Sequence, residues 1–193
     1  MNGVLPEGIW LHMEERILSD RFEIGPVTYS ETEAISVQNT GDGIDKYLES
    51  LTKEEIAAVF SDMDAVKSVM ERMTATKMAP RSQSYGAWIN GRLIGFATLL
   101  ECSGDIWEMQ VEISPEYQHR GYGYEFLSHL LPVLLADPKI SCIRYTVIPS
   151  NKASVALIEK LGAELQEPET IAEKILLRTY MIRNPQEYEY TGS

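Results

Sequence analysis

Apolar and polar residues alternate along some stretches of this chain and recur at helical spacing along others. Trp107, Met109, Val111 and Ile113 alternate with Glu108, Gln110 and Glu112. Successive side chains of a strand point to opposite faces, so this run predicts a strand with one apolar and one acidic face. Tyr85 to Ile89 and Leu93 to Leu100 are β-rich runs joined by Asn90-Gly91. That dipeptide is a hairpin signal, because both central turn positions need a positive φ. Phe22 to Val27, Cys142 to Ile148 and Ile175 to Ile182 read as further strands, with a turn at Ser103-Gly104-Asp105.

The period changes after Gly123. Phe126, Leu127, Leu130, Leu131 and Leu134 recur as one face of a helix, and Pro132 inside that pattern is expected to kink or end it. Lys152 to Leu161 is a second helix, with Val155, Ile158 and Leu161 on one face and Gly162 as its C-cap. Ser30-x-x-Glu33 and Thr52-x-x-Glu55 have the form of capping boxes ahead of helical patterns. Helical patterns also run through residues 58–60 and 64–73, and the polar stretch from Gln186 reads as a mobile tail. Without repeats or a linker, the 193 residues predict a single α/β (α+β) domain, a mixed sheet of about six or seven strands flanked by helices.

Charge and composition narrow the partners. The net charge of −12 argues against nucleic acid, which needs a basic footprint, and suits a cationic amine. No apolar run approaches the roughly 20 residues of a membrane span, so no membrane partner is expected. The N-terminus lacks the pattern of a signal peptide, which predicts a cytoplasmic location. In that setting Cys102 and Cys142 are expected to be buried thiols, not a disulfide. The three histidines and two cysteines show no metal-ligand spacing.

The candidate chemistry lies where the Trp107–Ile113 strand meets the helix. Gln118-x-x-Gly121-x-Gly123 fills the turn between them. The first amides of a helix lack partners inside it, and the helix dipole favours negative charge there. Glycine lets a phosphate approach the backbone where a Cβ would stand. The segment therefore reads as a pyrophosphate site. In so acidic a chain the phosphates must be met by these amides and by nearby cations, with Arg120 and Lys152 as candidates. The spacing does not fit a dinucleotide fold, because Phe126 stands where the third glycine would be. No Gly-Lys-Ser/Thr follows, which excludes a nucleotide P-loop.

This turn resembles motif A of the GNAT superfamily of acyl-CoA-dependent N-acetyltransferases. Two further segments are similar to that family: Asn151-Lys-Ala-Ser154 with Glu159-Lys-Leu-Gly162 after it, and the hairpin around Asn90-Gly91. The branch it looks nearest to is the ribosomal-protein N-terminal acetyltransferases and their small-molecule relatives. The resemblance implies acetyl-CoA as cofactor and a small-molecule or peptide amine as acceptor, and it admits a homodimer. The amides of Gln118, His119, Arg120, Gly121, Tyr122, Gly123 and Tyr124 would face the pyrophosphate. The resemblance also implies a splayed sheet: the strand before the turn would diverge from the next strand, and the backbone around Val111 to Ile113 would pair with pantetheine in the gap and supply an oxyanion donor. Asn151 and Ser154 would hold the pantetheine arm from the opposing strand end, although Asn151 is equally a good helix N-cap.

Catalysis also needs a base, because the amine arrives as an ammonium. Glu108 and Glu112, on the acidic face of the strand, are the candidates. The sequence departs from the family at the acid. Many members place a tyrosine seven residues after the motif asparagine, and this chain has Ile158 there. Tyr145, Tyr180 or Ser154 could substitute, or water could protonate the thiolate. The same isoleucine sustains a second reading, a non-catalytic acyl-CoA-binding or sensing module of the same fold.

Overall fold

The computed structural model describes residues 16–28, 30–32, 35, 82–166, 169–171 and 175–183. The helical patterns at 58–60 and 64–73, the box at Thr52 and the tail from Gln186 lie outside them. Nine strands are present among the described residues: β1 (Ile17–Leu18), β2 (Glu23–Pro26), β3 (Ser82–Ile89), β4 (Arg92–Ser103), β5 (Ile106–Ile113), β6 (Cys142–Val147), β7 (Glu164–Leu165), β8 (Glu169–Ile171) and β9 (Ile175–Arg183). Eight follow the order β1-β2-β3-β4-β5-β6-β9-β7, and β8 pairs with β9. The sheet is thus larger than the six or seven strands expected, through the short strands β1, β7 and β8. Helix α1 (Tyr122–Leu135) connects β5 to β6, and α2 (Lys152–Lys160) follows β6.

Local chemistry explains most of these elements. Asn90 and Gly91 close the β3–β4 hairpin with φ of 49° and 77°, as a two-residue turn demands. Gly162, at φ 80°, ends α2. Its N–H donates to Glu159 O, and the Ala163 N–H reaches Ile158 O, the paired bonds of a Schellman cap. Pro132 does not end α1, which runs on to Leu135. The buried residues Leu130, Leu131, Leu134 and Leu135 hold the helix on the sheet beyond the missing hydrogen bond. Near residue 30 a cap forms at Thr28, two residues before Ser30, whose box partner Glu33 lies outside the described residues. The Thr28 N–H donates to Glu31 Oε2 at 2.8 Å, and the Thr28 hydroxyl bonds the same oxygen.

The sheet changes character at β5. Strands β1 to β5 are antiparallel neighbours, while β5 and β6 run parallel across the α1 crossover. That parallel pairing covers only Ile106–Glu108 against Cys142–Arg144. Beyond it β5 stays paired with β4 as far as Ile113, and β6 with β9 as far as Val147. The sheet therefore forks after Glu108 and Arg144. Phe126, Leu127, Leu130 and Leu134 of α1 join Trp107 and Met109 of β5 and Ile143 of β6 in one buried cluster. A buried side chain of this size stabilises the fold by roughly 1.5–3 kcal/mol, so the helix start is fixed over one arm of the fork. Among the described residues no helix is long and apolar enough to cross a membrane.

Candidate active site

The arm that β5 contributes leads directly into the glycine turn. The Ser114 N–H donates to Ile94 O on β4 at 2.8 Å. Backbone groups of successive strand residues face alternate sides, so Ile113 and Val111 turn theirs toward the fork. The Gln118 side-chain amide donates to Ile113 O at 2.9 Å, and its backbone N–H donates to Pro115 O. Gln118 thus closes the turn, and its own amide is not one of those presented outward. His119 and Gly121 take positive φ, 57° and 81°. Gly121 is the N-cap of α1 and has no side chain to satisfy the amides that follow. The first-turn amides of Tyr122, Gly123 and Tyr124 have no acceptor within the helix.

The two glycines act differently. A Cβ on Gly121 would meet nothing closer than Arg21 Nη2 at 3.6 Å, so its φ, not crowding, requires glycine. A Cβ on Gly123 would lie 3.5 Å from both Ile113 Cγ1 and Leu157 Cδ2, between the end of β5 and α2. His119 is exposed, whereas His129 Nδ1 bonds Glu125 O at 2.8 Å and serves the helix.

The other arm carries the asparagine segment. Asn151 Oδ1 accepts the Ser154 N–H at 3.1 Å, so the residue does cap α2. The Ser154 hydroxyl pairs with that of Tyr145 on β6 at 3.1 Å. Burial pushes the Tyr145 phenol up, against the Ser154 hydrogen bond, and it stays protonated. Ile158 is fully buried in the core. Tyr180 donates to Glu159 Oε1 at 2.7 Å and is committed there.

Glu108 marks the vertex of the fork. Arg144, opposite it in the last parallel pair, donates to Glu108 Oε2 through Nη2 at 2.6 Å and Nε at 3.1 Å. The Cys102 thiol lies 3.4 Å from Arg144 Nη2 and 3.7 Å from Glu108 Oε2. Cys102 is exposed, contrary to the expected burial, and stands on the same sheet face as Glu108. Cys142 is free and buried. Partial burial raises the Cys102 thiol, Arg144 lowers it and Glu108 raises it again, so it is not an activated thiolate. Glu112 is half-buried opposite Phe96, four residues along the same face, about 13 Å from Glu108. The two carboxylates therefore do not form one cluster.

Sequence reasoning missed two cations. Arg144 was invisible as the partner of Glu108, because only the crossover sets that register. Arg21, in the turn between β1 and β2, lies against the glycine turn. It donates to Arg120 O at 3.1 Å, pairs with Glu125 and stacks 4.1 Å over the Tyr122 ring. Nothing in the local sequence signals a contact across 99 residues.

The glycine turn and the asparagine cap thus stand at the two arms of a forked sheet. The model of the Acetyltransferase (GNAT) family matches residues 48–163, and the chain belongs to that family, whose cosubstrate is acetyl-CoA. Solved structures share the fold. The RimL ribosomal L7/L12 alpha-N-protein acetyltransferase, in complex with coenzyme A, is 15% identical with a TM-score of 0.60, covering 88% of this chain and 98% of its own. A GNAT-family acetyltransferase from Bacillus anthracis is 19% identical at 0.58, covering 88% and 99%. Spermidine N-acetyltransferase from Vibrio cholerae, with CoA and spermine, is 14% identical at 0.56, covering 86% and 97%. No curated protein sequence matches the chain.

Proposed function

We propose that this protein transfers an acetyl group from acetyl-CoA to a primary amine, on a small molecule or a protein N-terminus. The observation that carries the reading is the fork between β5 and β6, opening from Glu108 and Arg144 with the glycine turn at the end of its β5 arm. The residues fit the group. The amides from His119 to Tyr124 are the donors for a pyrophosphate, and the Gly121 N-cap keeps a side chain from taking that place. Val111 and Ile113 offer strand backbone to the pantetheine arm, and Asn151 and Ser154 face it from the β6 side.

The thioester brings the activated acyl group. This chain must then deprotonate the ammonium and return a proton to the thiolate. Glu108 or Glu112 takes the first role. Because Glu108 Oε2 already accepts two N–H bonds from Arg144, abstraction there falls to Oε1 or to a water. The Tyr145–Ser154 hydroxyl pair is the proton source on the β6 arm. The acidic surface, at a net charge of −12, favours a cationic acceptor.

Ile158 in the core, where many relatives carry tyrosine, favours the second reading of a binding module without turnover. Two measurements separate them. Acetyl-CoA at about 100 times its dissociation constant should stabilise the protein by roughly 2.7 kcal/mol, with NAD and ATP doing far less. Thiol release with an amine panel, with the product identified by mass, should then show turnover. A thermal shift without turnover on any amine supports the binding module, and a larger shift with NAD refutes the acyl-CoA site.

A further inference from the structure

We propose that Arg21 is a positioning residue for the cofactor's phosphates: by pairing with Glu125 it removes a negative charge from the first turns of α1 and holds the glycine turn in shape. The inference rests on the reading of that turn as the phosphate site. A carboxylate near a helix N-terminus is favourable for the helix, because it meets the positive end of the dipole. For the same reason it competes with a bound anion. Glu125 stands in the first turn of α1, close to the amides of Tyr122 to Tyr124, in a chain of net charge −12. Left uncompensated, it would repel the phosphates that these amides are placed to receive.

Arg21 answers this with every part of its guanidinium. Nε pairs with Glu125 Oε2, Nη1 donates to Arg120 O at 3.1 Å, and the plane covers the Tyr122 ring at 4.1 Å. Nη2 lies 3.6 Å from the place a Cβ would occupy on Gly121. One side chain thus touches the turn on both sides of its left-handed glycine. The turn presenting it is itself fastened. The Ser19 hydroxyl accepts the Arg21 and Phe22 N–H groups and bonds Phe22 O, and Phe22 packs on Tyr122 at 6.0 Å between ring centroids. Burial raises the Glu125 carboxyl, but the hydrogen bond and charge of the Arg21 guanidinium outweigh it, so Glu125 stays ionised. A partly exposed ion pair adds little to stability. The larger consequence of the pair therefore lies at the anion site.

The test is calorimetry of the full chain with two probes, CoA and acetyl-pantetheine, which shares the arm and lacks the nucleotide and its phosphates. Arg21→Gln should weaken CoA roughly 3- to 30-fold, the range for one charge at a helix terminus, and leave acetyl-pantetheine unchanged. The Arg21→Gln/Glu125→Gln double variant should recover most of the lost CoA affinity. Glu125→Gln alone, which removes no structural cation, should bind CoA as tightly as wild type or a few-fold tighter. Equal losses for both probes, or a double variant no better than Arg21→Gln, would overturn the inference and make Arg21 a mere brace. If Arg21→Gln does not fold, weaker CoA binding by Glu125→Gln overturns it. Wild-type protein that fails to bind CoA overturns the phosphate site and this inference together. Wild-type binding with an indistinguishable Arg21→Gln overturns this inference alone.

Discussion

Gly121 and Gly123 stand two residues apart in one motif, yet the structure predicts opposite thermodynamic signatures for replacing them. Gly121 caps α1 at φ 81°. An L-residue in that conformation costs about 1–2 kcal/mol, and a β-branched one more, since its Cβ substituents crowd the backbone. For a chain of this length about 1 kcal/mol corresponds to roughly 2–4 °C in Tm. Gly121→Val should therefore lower Tm by about 2–8 °C or shift the turn. A shifted turn disorients the amides of Tyr122 to Tyr124. A hydrogen bond to a charged group contributes about 1.5–3 kcal/mol, so losing two should weaken CoA by 100-fold or more. Gly123 has no positive φ, and its Cβ would make ordinary 3.5 Å contacts with Ile113 and Leu157. Gly123→Ala should leave Tm unchanged or raise it, because alanine favours a helix by up to about 1 kcal/mol. Its methyl would stand beside the fork, so CoA affinity should fall while stability does not. Thermal unfolding and calorimetry with CoA on both variants read all four quantities. A folded Gly121→Val with unchanged Tm and CoA affinity would refute the reasoning, as would a destabilised Gly123→Ala.

Glu108→Gln should lower turnover about 10²- to 10⁴-fold with CoA affinity retained; a pH–rate profile that overlays wild type moves the base to Glu112 or a water. Ile158→Tyr should not raise activity, because that side chain is fully buried and overpacking costs about 1–3 kcal/mol; a faster, equally stable variant would contradict this. The Glu125 carboxyl is lowered in the fold, so its contribution to stability is present above its unfolded pKa and is lost as pH falls through the folded one. The Tm difference between wild type and Glu125→Gln should therefore shrink on acidification below the ordinary carboxylate range, and a difference that grows there would reverse the sign.

What was legible in the sequence is what neighbours within a few residues decide. Alternation along residues 107 to 113 marked β5, Asn90-Gly91 marked a turn with two positive φ angles, and Gly162 marked the end of α2. Each follows from a local conformational need of glycine, asparagine or an apolar face. Even so, the local signals could mislead where packing outweighed them. Pro132 was expected to kink or end α1, and it does not end it: the buried leucines around it carry the helix on to Leu135. The cap near residue 30 stands at Thr28, not at Ser30. Cys102 was expected to be buried and is exposed beside Glu108 and Arg144, a setting that only strand pairing creates.

The site itself was half legible. Its glycine turn and asparagine cap are local, and both stand where the motif spacing placed them. Its electrostatics were decided by the tertiary structure. Glu108 meets Arg144 only because α1 carries the chain over to a parallel strand in one register, across 36 residues. Arg21 meets Glu125 across 104 residues because Phe22 packs on Tyr122 and Phe126. No periodicity or spacing encodes such a pair, since its partners share no element. The fork was expected from the family resemblance alone. Physically it arises because β5 is held by β4 and β6 by β9, each over a longer run than the three residues by which β5 and β6 hold each other.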